Sequence, residues 1–182
     1  MSGGASLVVR LVVVLLFVCG VVVGCGAAGP EGPFPARPVE IDVANVDPCV
    51  AMTPDLRQRL GVEGDNPAIV PLADGPSRAC SWGNFDVGDS YTVQSIRSPA
   101  EKVVTARGAV VTTVDGFGAV QIVENRGGSA LCELYLDTAD TASIRVQMES
   151  LGYGEQNMVS TDGACQKAEI LARSYLAEAR TH

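Results

Sequence analysis

From Ala109 to Ser150 the side chains change character with a period of two, and this alternation is what most restricts the folds open to the chain. Within Ala130–Asp137, Cys132, Leu134 and Leu136 fall on one face. Within Ser143–Ser150, Ile144, Val146 and Met148 share one face and Arg145, Gln147 and Glu149 the other. Successive strand side chains point to opposite faces, so both stretches read as strands with one apolar face. Ala109–Val114 and Gly118–Glu124 precede them, broken by Asp115-Gly116 and by Asn125-Arg126-Gly127-Gly128. Asp-Gly tolerates the positive φ that a tight two-residue hairpin demands. The forty residues therefore predict an antiparallel meander with one face on the core and one in water.

The remaining elements are shorter. Ala79–Phe85 and Tyr91–Arg97 predict two more strands, turned by Asp86-Val87-Gly88-Asp89. Residues 62–76 carry Gly, Pro, Asn and Asp throughout and predict a loop. Asp47-Pro48 and Thr53-Pro54-Asp55 are helix-start signals, the second opening a short helix that runs to Leu60 and stops at Gly61. Ser98-Pro99 predicts a helix through Arg107. Ser160–Asp162 caps a long one, Gly163–Arg180, on which Cys165, Ala168, Ala172, Tyr175, Leu176 and Ala179 form a stripe at helical spacing. The expected class is α+β: an antiparallel meander packed by a long C-terminal helix and a short N-terminal helix.

The first residues are of a different kind. Residues 1–10 hold one cation, Arg10, and no acid; residues 11–23 are apolar except Gly20. A basic start, an apolar run and a small residue at the cut form a signal peptide, here residues 1–24. Thirteen helical residues rise only about 20 Å, short of the roughly 30 Å of a bilayer core. Val22-Val23-Gly24-Cys25 resembles the lipobox of bacterial lipoproteins, which implies diacylglycerol on the Cys25 sulfur and Cys25 as the mature N-terminus. Residues 25–46, rich in Pro and Gly, predict a flexible tether, and residues 47–182 a single domain. Removing residues 1–24 takes away Arg10 and no acid, so the net charge goes from −8 to −9. That balance speaks against a nucleic-acid partner, and it leaves attachment to the membrane to the lipid.

Beyond Cys19 and Cys25, four cysteines remain: Cys49, Cys80, Cys132 and Cys165. An even number in an exported chain reads as disulfides, and no Cys-x-x-Cys pair or nearby His suggests a metal site. Three pairings are open. Cys49–Cys80 and Cys132–Cys165 are preferred, because Cys132 shares a face with Leu134 and Leu136 while Cys165 lies on the apolar stripe of the last helix. The second bond would then clamp helix to sheet. Trp82, two residues after Cys80, is placed on the same strand face.

Asp47-Pro48-Cys49, Cys80-x-Trp82, the turn from Val114 to Gly118, Cys132-Glu133 and Cys165-x-x-Ala168 occur in this order over residues 46–180. With the lipobox, this set resembles the actinobacterial lipoproteins grouped as domain of unknown function 3558, which includes mycobacterial cell-envelope lipoproteins. The resemblance implies an actinobacterial source, a lipid anchor, two disulfides and an α+β domain, and no particular activity. More loosely, the chain resembles the extracellular sensor domains of certain mycobacterial serine/threonine kinases.

The residue types narrow the chemistry further. His182 is the single histidine and the last residue, which removes Ser-His-Asp and Cys-His nucleophile pairs and His-based metal sites. Lys102 and Lys167 are placed on exposed helix faces, away from a Ser–Lys pair. Glu124 and Glu133, on neighbouring strands, are the pair a glycosidase would need, and solvated acids are the simpler account. Asp137 and Asp140 are considered for calcium, with turn chemistry preferred. Tyr135 and Arg145 are possible ligand contacts on the outer face. The expectation is a non-catalytic, lipid-anchored envelope protein on the extracytoplasmic side of the cell membrane. It would use no cofactor and bind an envelope protein or small ligand; a carboxylate-based hydrolase and a lipid or glycolipid carrier are the alternatives.

Overall fold

The computed structural model describes residues 32–181 apart from 74, 126 and 153–158. The described residues belong to one compact unit, residues 32–182. Residues 1–24, expected as a signal peptide, Cys25 and His182 lie outside the described residues.

Seven strands form one sheet: β1 (Glu63–Leu72), β2 (Gly75–Asn84), β3 (Asp89–Ile96), β4 (Val110–Val114), β5 (Phe117–Asn125), β6 (Ala130–Ala139) and β7 (Ala142–Ser150). Their order is β1-β2-β3-β7-β6-β5-β4, with every pairing antiparallel. Two meanders, β1–β3 and β4–β7, are thus joined where β3 meets β7. Helix α1 (Pro54–Leu60) precedes the sheet and α2 (Thr161–Ala179) follows it. The class is α+β.

Local chemistry accounts for the ends of these elements. Thr53 Oγ1 accepts from the Leu56 amide at 3.3 Å, Pro54 follows the cap, and Gly61 closes α1 at φ 63°. Ser160 Oγ accepts from the Gly163 amide at 3.1 Å at the head of α2. In the β4–β5 turn Asp115 has φ 48° and Gly116 φ 85°, the double positive φ of a primed hairpin turn. The last turns of α2 hold that hairpin. Arg173 pairs with the Asp115 carboxylate, Arg180 donates to the Asp115 carbonyl at 2.9 Å, and the Arg180 guanidinium lies 5.1 Å from the Phe117 ring centre.

The main core fills the space between α2 and one sheet face. Tyr91, Val93, Leu134, Leu136, Ile144, Val146 and Met148 meet Leu171, Tyr175 and Leu176, all buried. Each fully buried side chain of this size stabilises the fold by about 1.5–3 kcal/mol. Disulfides join Cys49 to Cys80 and Cys132 to Cys165, with Cα atoms 5.1 Å apart in both. The first ties the 3-10 turn Pro48–Ala51 to β2. The second ties α2 to β6.

The structure corrects the sequence reading in four places. Residues 63–72, expected as loop, are edge strand β1. Its outward side is open to solvent, which is why its composition looks like a loop, and Pro67 and Pro71 are tolerated at an edge. The segment expected as a tether is packed on the domain over residues 34–46. Phe34, Ile41, Val43 and Val46 are buried, and the Ile41 amide donates to the Thr138 carbonyl at 3.0 Å. The outer sheet face is not wet throughout, because Phe34, Ala100, Val120 and Ile122 form a second apolar cluster there, packed by Val103 and Val104. The helix expected through Arg107 shrinks to a 3-10 turn, Ala100–Val103, which packs Ala100 and Val103 on that cluster.

Candidate functional site

A cleft of about 300 Å³ opens at the end of the sheet where the first part of β1, the end of β2 and the β2–β3 turn meet. That volume is at the lower end of small-molecule sites, roughly 300–1,000 Å³. Trp82 forms its buried wall. The Trp82 indole Nε1 donates to Asp65 Oδ1 at 2.6 Å, and Arg57, reaching from α1, pairs with the same carboxylate. These two donors, the indole first, hold the Asp65 carboxyl below its ordinary value. Trp82 and Cys80 are buried in the same core cluster, so the first disulfide braces the wall.

On the other side stands Asp89, its side chain 1% exposed. Asp89 Oδ2 accepts from Lys167 Nζ and from the Tyr91 hydroxyl, the latter at 3.3 Å. Burial, then the Asp89 charge, raises the Tyr91 pKa. Asp89 Oδ1 has no hydrogen-bond partner among the described residues. Lys167 was expected on an exposed face; it sits on the flank of α2, and its long stem lets the ammonium reach a buried carboxylate. At the rim Phe85 is 81% exposed, and its ring crosses Gly83 so closely that a β-carbon there would meet it at 3.2 Å.

The residues singled out from sequence lie elsewhere. Glu133 and Arg145 meet on the outer face of β6 and β7, with Arg145 Nε donating to Glu133 Oε1 at 2.9 Å. Arg145 also donates to Gln94 Oε1 at 3.1 Å and to Gln147, and Gln94 passes the chain to Ser77 at 2.7 Å. Tyr135 pairs with Arg145 across the strands, and burial, then Glu133, raises its pKa. Glu124 lies opposite Leu131, one diagonal step from Glu133 on the same face, and the Glu133 carboxylate is taken up by Arg145. Asp137 and Asp140 do come together, around a cation that is a side chain. Arg37 grips Asp137 at 2.8 and 3.0 Å and Asp140 at 2.7 Å. Its guanidinium stands where a calcium ion would have to.

A second groove, about 800 Å³, lies between residues 40–44 and the sheet, with Arg78 and Arg97 beside Ile41, Val43 and Ile96. No residue of α2 lines either cavity, because the space under α2 is filled by the core.

Sequence reasoning missed Asp65, Phe85 and Asp89 as site residues. Asp65 was hidden in a stretch read as loop, and Asp89 was one of 21 acids. A usable signal existed for Phe85, a large aromatic just before a turn where alternation no longer calls for an inward residue.

Fold and cleft together define a disulfide-stapled α+β domain with a cleft at one end of its sheet. Residues 20–178 match the family described as proteins of unknown function (DUF3558), and the chain belongs to that family. No curated protein and no solved structure matches the chain.

Proposed function

We propose that the chain is an exported lipoprotein of an actinobacterial cell envelope, anchored through lipid on Cys25 at the extracytoplasmic face. Its domain is a non-catalytic binding module, and the cleft beside Trp82 is where it binds. One observation carries the binding role: a concave site lined by Trp82 and by the exposed ring of Phe85, mounted on a scaffold stapled by Cys49–Cys80. The non-catalytic reading is supported by the acids themselves, since Glu133 and Asp137 are each taken up by an arginine. The anchor is supported by the Val22-Val23-Gly24-Cys25 motif and by the net charge, which gives no basic face to hold anionic lipid.

The test is made at the native cell surface. A photoreactive residue at position 85 should capture a discrete envelope component that the same group at exposed position 107 does not. Equal capture from both positions overturns the cleft as binding site. In the same strain Cys25→Ala should accumulate full-length precursor with no membrane-attached mature form; unchanged attachment overturns the lipoprotein assignment.

A further inference from the structure

We infer that the free edge of β4 is a self-association surface, on which a second copy of this chain pairs its own β4 antiparallel, centred on Thr112, to make one continuous sheet.

The two outer strands of the sheet, β1 and β4, are finished differently. Leu72 opposes Gly75 across a two-residue turn, so residues 66, 68, 70 and 72 turn their backbone groups to β2, and 67, 69 and 71 turn theirs out. Two of those three are Pro67 and Pro71, which have no N–H to offer. Glu63 and Asp65 add charge, and a bulge interrupts the pairing between Glu63 and Asn66. Proline, charge and bulge are the devices that keep a sheet edge from pairing with another chain. β4 carries no proline and no charge, and it pairs with β5 without a bulge. It reads Val-Val-Thr-Thr-Val, five β-branched residues suited to a strand. Val114 closes the Asp115-Gly116 hairpin against Phe117, so Val110, Thr112 and Val114 bond to β5 while the N–H and C=O groups of Val111 and Thr113 face outward. No backbone bond outside the sheet reaches those two amides among the described residues. Val110 is 58% exposed and Val111 41%.

The occupant follows from what the edge presents. Paired antiparallel with itself, β4 sets Val111 opposite Thr113 of the second copy, and Thr113 opposite its Val111. In both pairs each residue donates its N–H to the other's carbonyl. Thr112 meets Thr112 on the two-fold axis, and Val110 meets Val114. Every cross-strand pair is β-branched and no like charges oppose each other. The ladder ends there, because the next outward amide, that of Ala109, already donates to the Ala106 carbonyl at 3.1 Å. Such a contact is isologous and closes at two copies, with the proline-blocked β1 left at both ends of the joined sheet.

The N-terminal segment fits the same arrangement. Phe34 lies over Gly118, which opposes Thr113. In the pair the two Gly118 positions are separated by three strand spacings across and two residues along, roughly 16 Å, on one face of the joined sheet. The chains leading towards Cys25 therefore start side by side, and under the lipoprotein reading, on which this point alone rests, both copies reach one bilayer. Five residues a side is far below the roughly 20–30 of a stable interface. The pair therefore dissociates readily in dilute solution and is favoured where anchoring concentrates the chain at a surface.

The full chain, purified in detergent with both disulfides formed, is followed by sedimentation from about 10 µM to about 1 mM, where so small an interface dissociates. A reversible monomer–dimer equilibrium is expected. Val111→Pro removes one outward N–H, as Pro67 and Pro71 do on β1, and should weaken the dimer at least tenfold. Thr113→Lys, which sets a charge on the edge, should do the same. Both outward groups are unused within the fold, so the unfolding transition of each variant should stay cooperative. Oxidative crosslinking gives a second measurement that needs neither variant. Thr112 meets its own copy in a non-hydrogen-bonded pair, with Cα atoms about 4.5 Å apart, a spacing that a disulfide spans. Thr112→Cys should therefore yield covalent dimer above the wild-type level, and Val110→Cys, more exposed but set opposite Val114, should not. A monomer across the whole range, a dimer indifferent to both edge variants, or no Thr112→Cys crosslink overturns the inference. A photoreactive residue at position 113 that captures another protein and not this chain refutes the second copy as occupant. None of these outcomes bears on the cleft beside Trp82, so the binding role stands or falls separately.

Discussion

Asp65 shows how one carboxylate can tie three elements together. It sits on β1, accepts from Trp82 on β2 and pairs with Arg57 on α1. Both donors favour the ionised form, so the folded carboxyl titrates below the value of about 3.9 it has in an unfolded chain. A depressed acid stabilises the fold above its unfolded pKa, and that contribution disappears as pH falls through the lower folded value. Trp82 emission should therefore hold steady as pH drops from 7 to about 4 and change only below that. In Asp65→Asn the acid step should vanish. A step with its midpoint at or above 4, or one unaltered in the variant, would contradict this pairing. None of it was legible in advance, because such a triad depends on register between a strand that composition hid and a helix residue eight positions earlier. What the sequence did carry at this scale was the placement of Trp82 and Cys80 on a common face, which two-residue spacing alone dictates.

Among the elements, alternation and turn chemistry were sufficient where one strand face is apolar. β6, β7 and the Asp115-Gly116 hairpin lie where the sequence places them, within a residue or two. They failed at β1, whose side chains are exposed almost throughout and so leave no pattern, and at the segment before Asp47, whose prolines suggested a tether. One close fit that holds that segment is at its start. Phe34 lies so near Gly118 on β5 that a β-carbon there would stand 2.5 Å from the Phe34 Cβ and Cγ atoms. Gly118→Ala should therefore expel the ring and lower stability by about 1–3 kcal/mol in urea unfolding. Phe34→Gly combined with Gly118→Ala should cost clearly less than the two changes added together, since Phe34→Gly removes both the ring and the Cβ atom that the new methyl meets. Strict additivity would mean that the two residues do not meet.

For the molecule as a whole, the two disulfides and the packed N-terminal segment set how it unfolds and how far it reaches. Each bond closes a wide loop, with sequence separations of 31 and 33 residues. The chain-entropy account assigns roughly 3.5–4 kcal/mol to each, a large share of the 5–15 kcal/mol typical of a domain. Replacing Cys132 and Cys165 by serine together should lower the unfolding free energy by about 3–4 kcal/mol, read from the urea midpoint. A shift under 1 kcal/mol would show that packing alone holds α2 to the sheet. Under the lipoprotein reading the packing of Phe34 also shortens the leash: only residues 25–33 separate the anchor from the domain, a contour of at most about 30 Å. A partner must then come close to the bilayer to be met. The Cys132–Cys165 bridge carries one more consequence. A protease that cuts the backbone anywhere from Glu133 to Ala164 leaves two pieces still linked as a single covalent body, so damage there would go unseen on a non-reducing gel, and only a reductant would set the C-terminal fragment free.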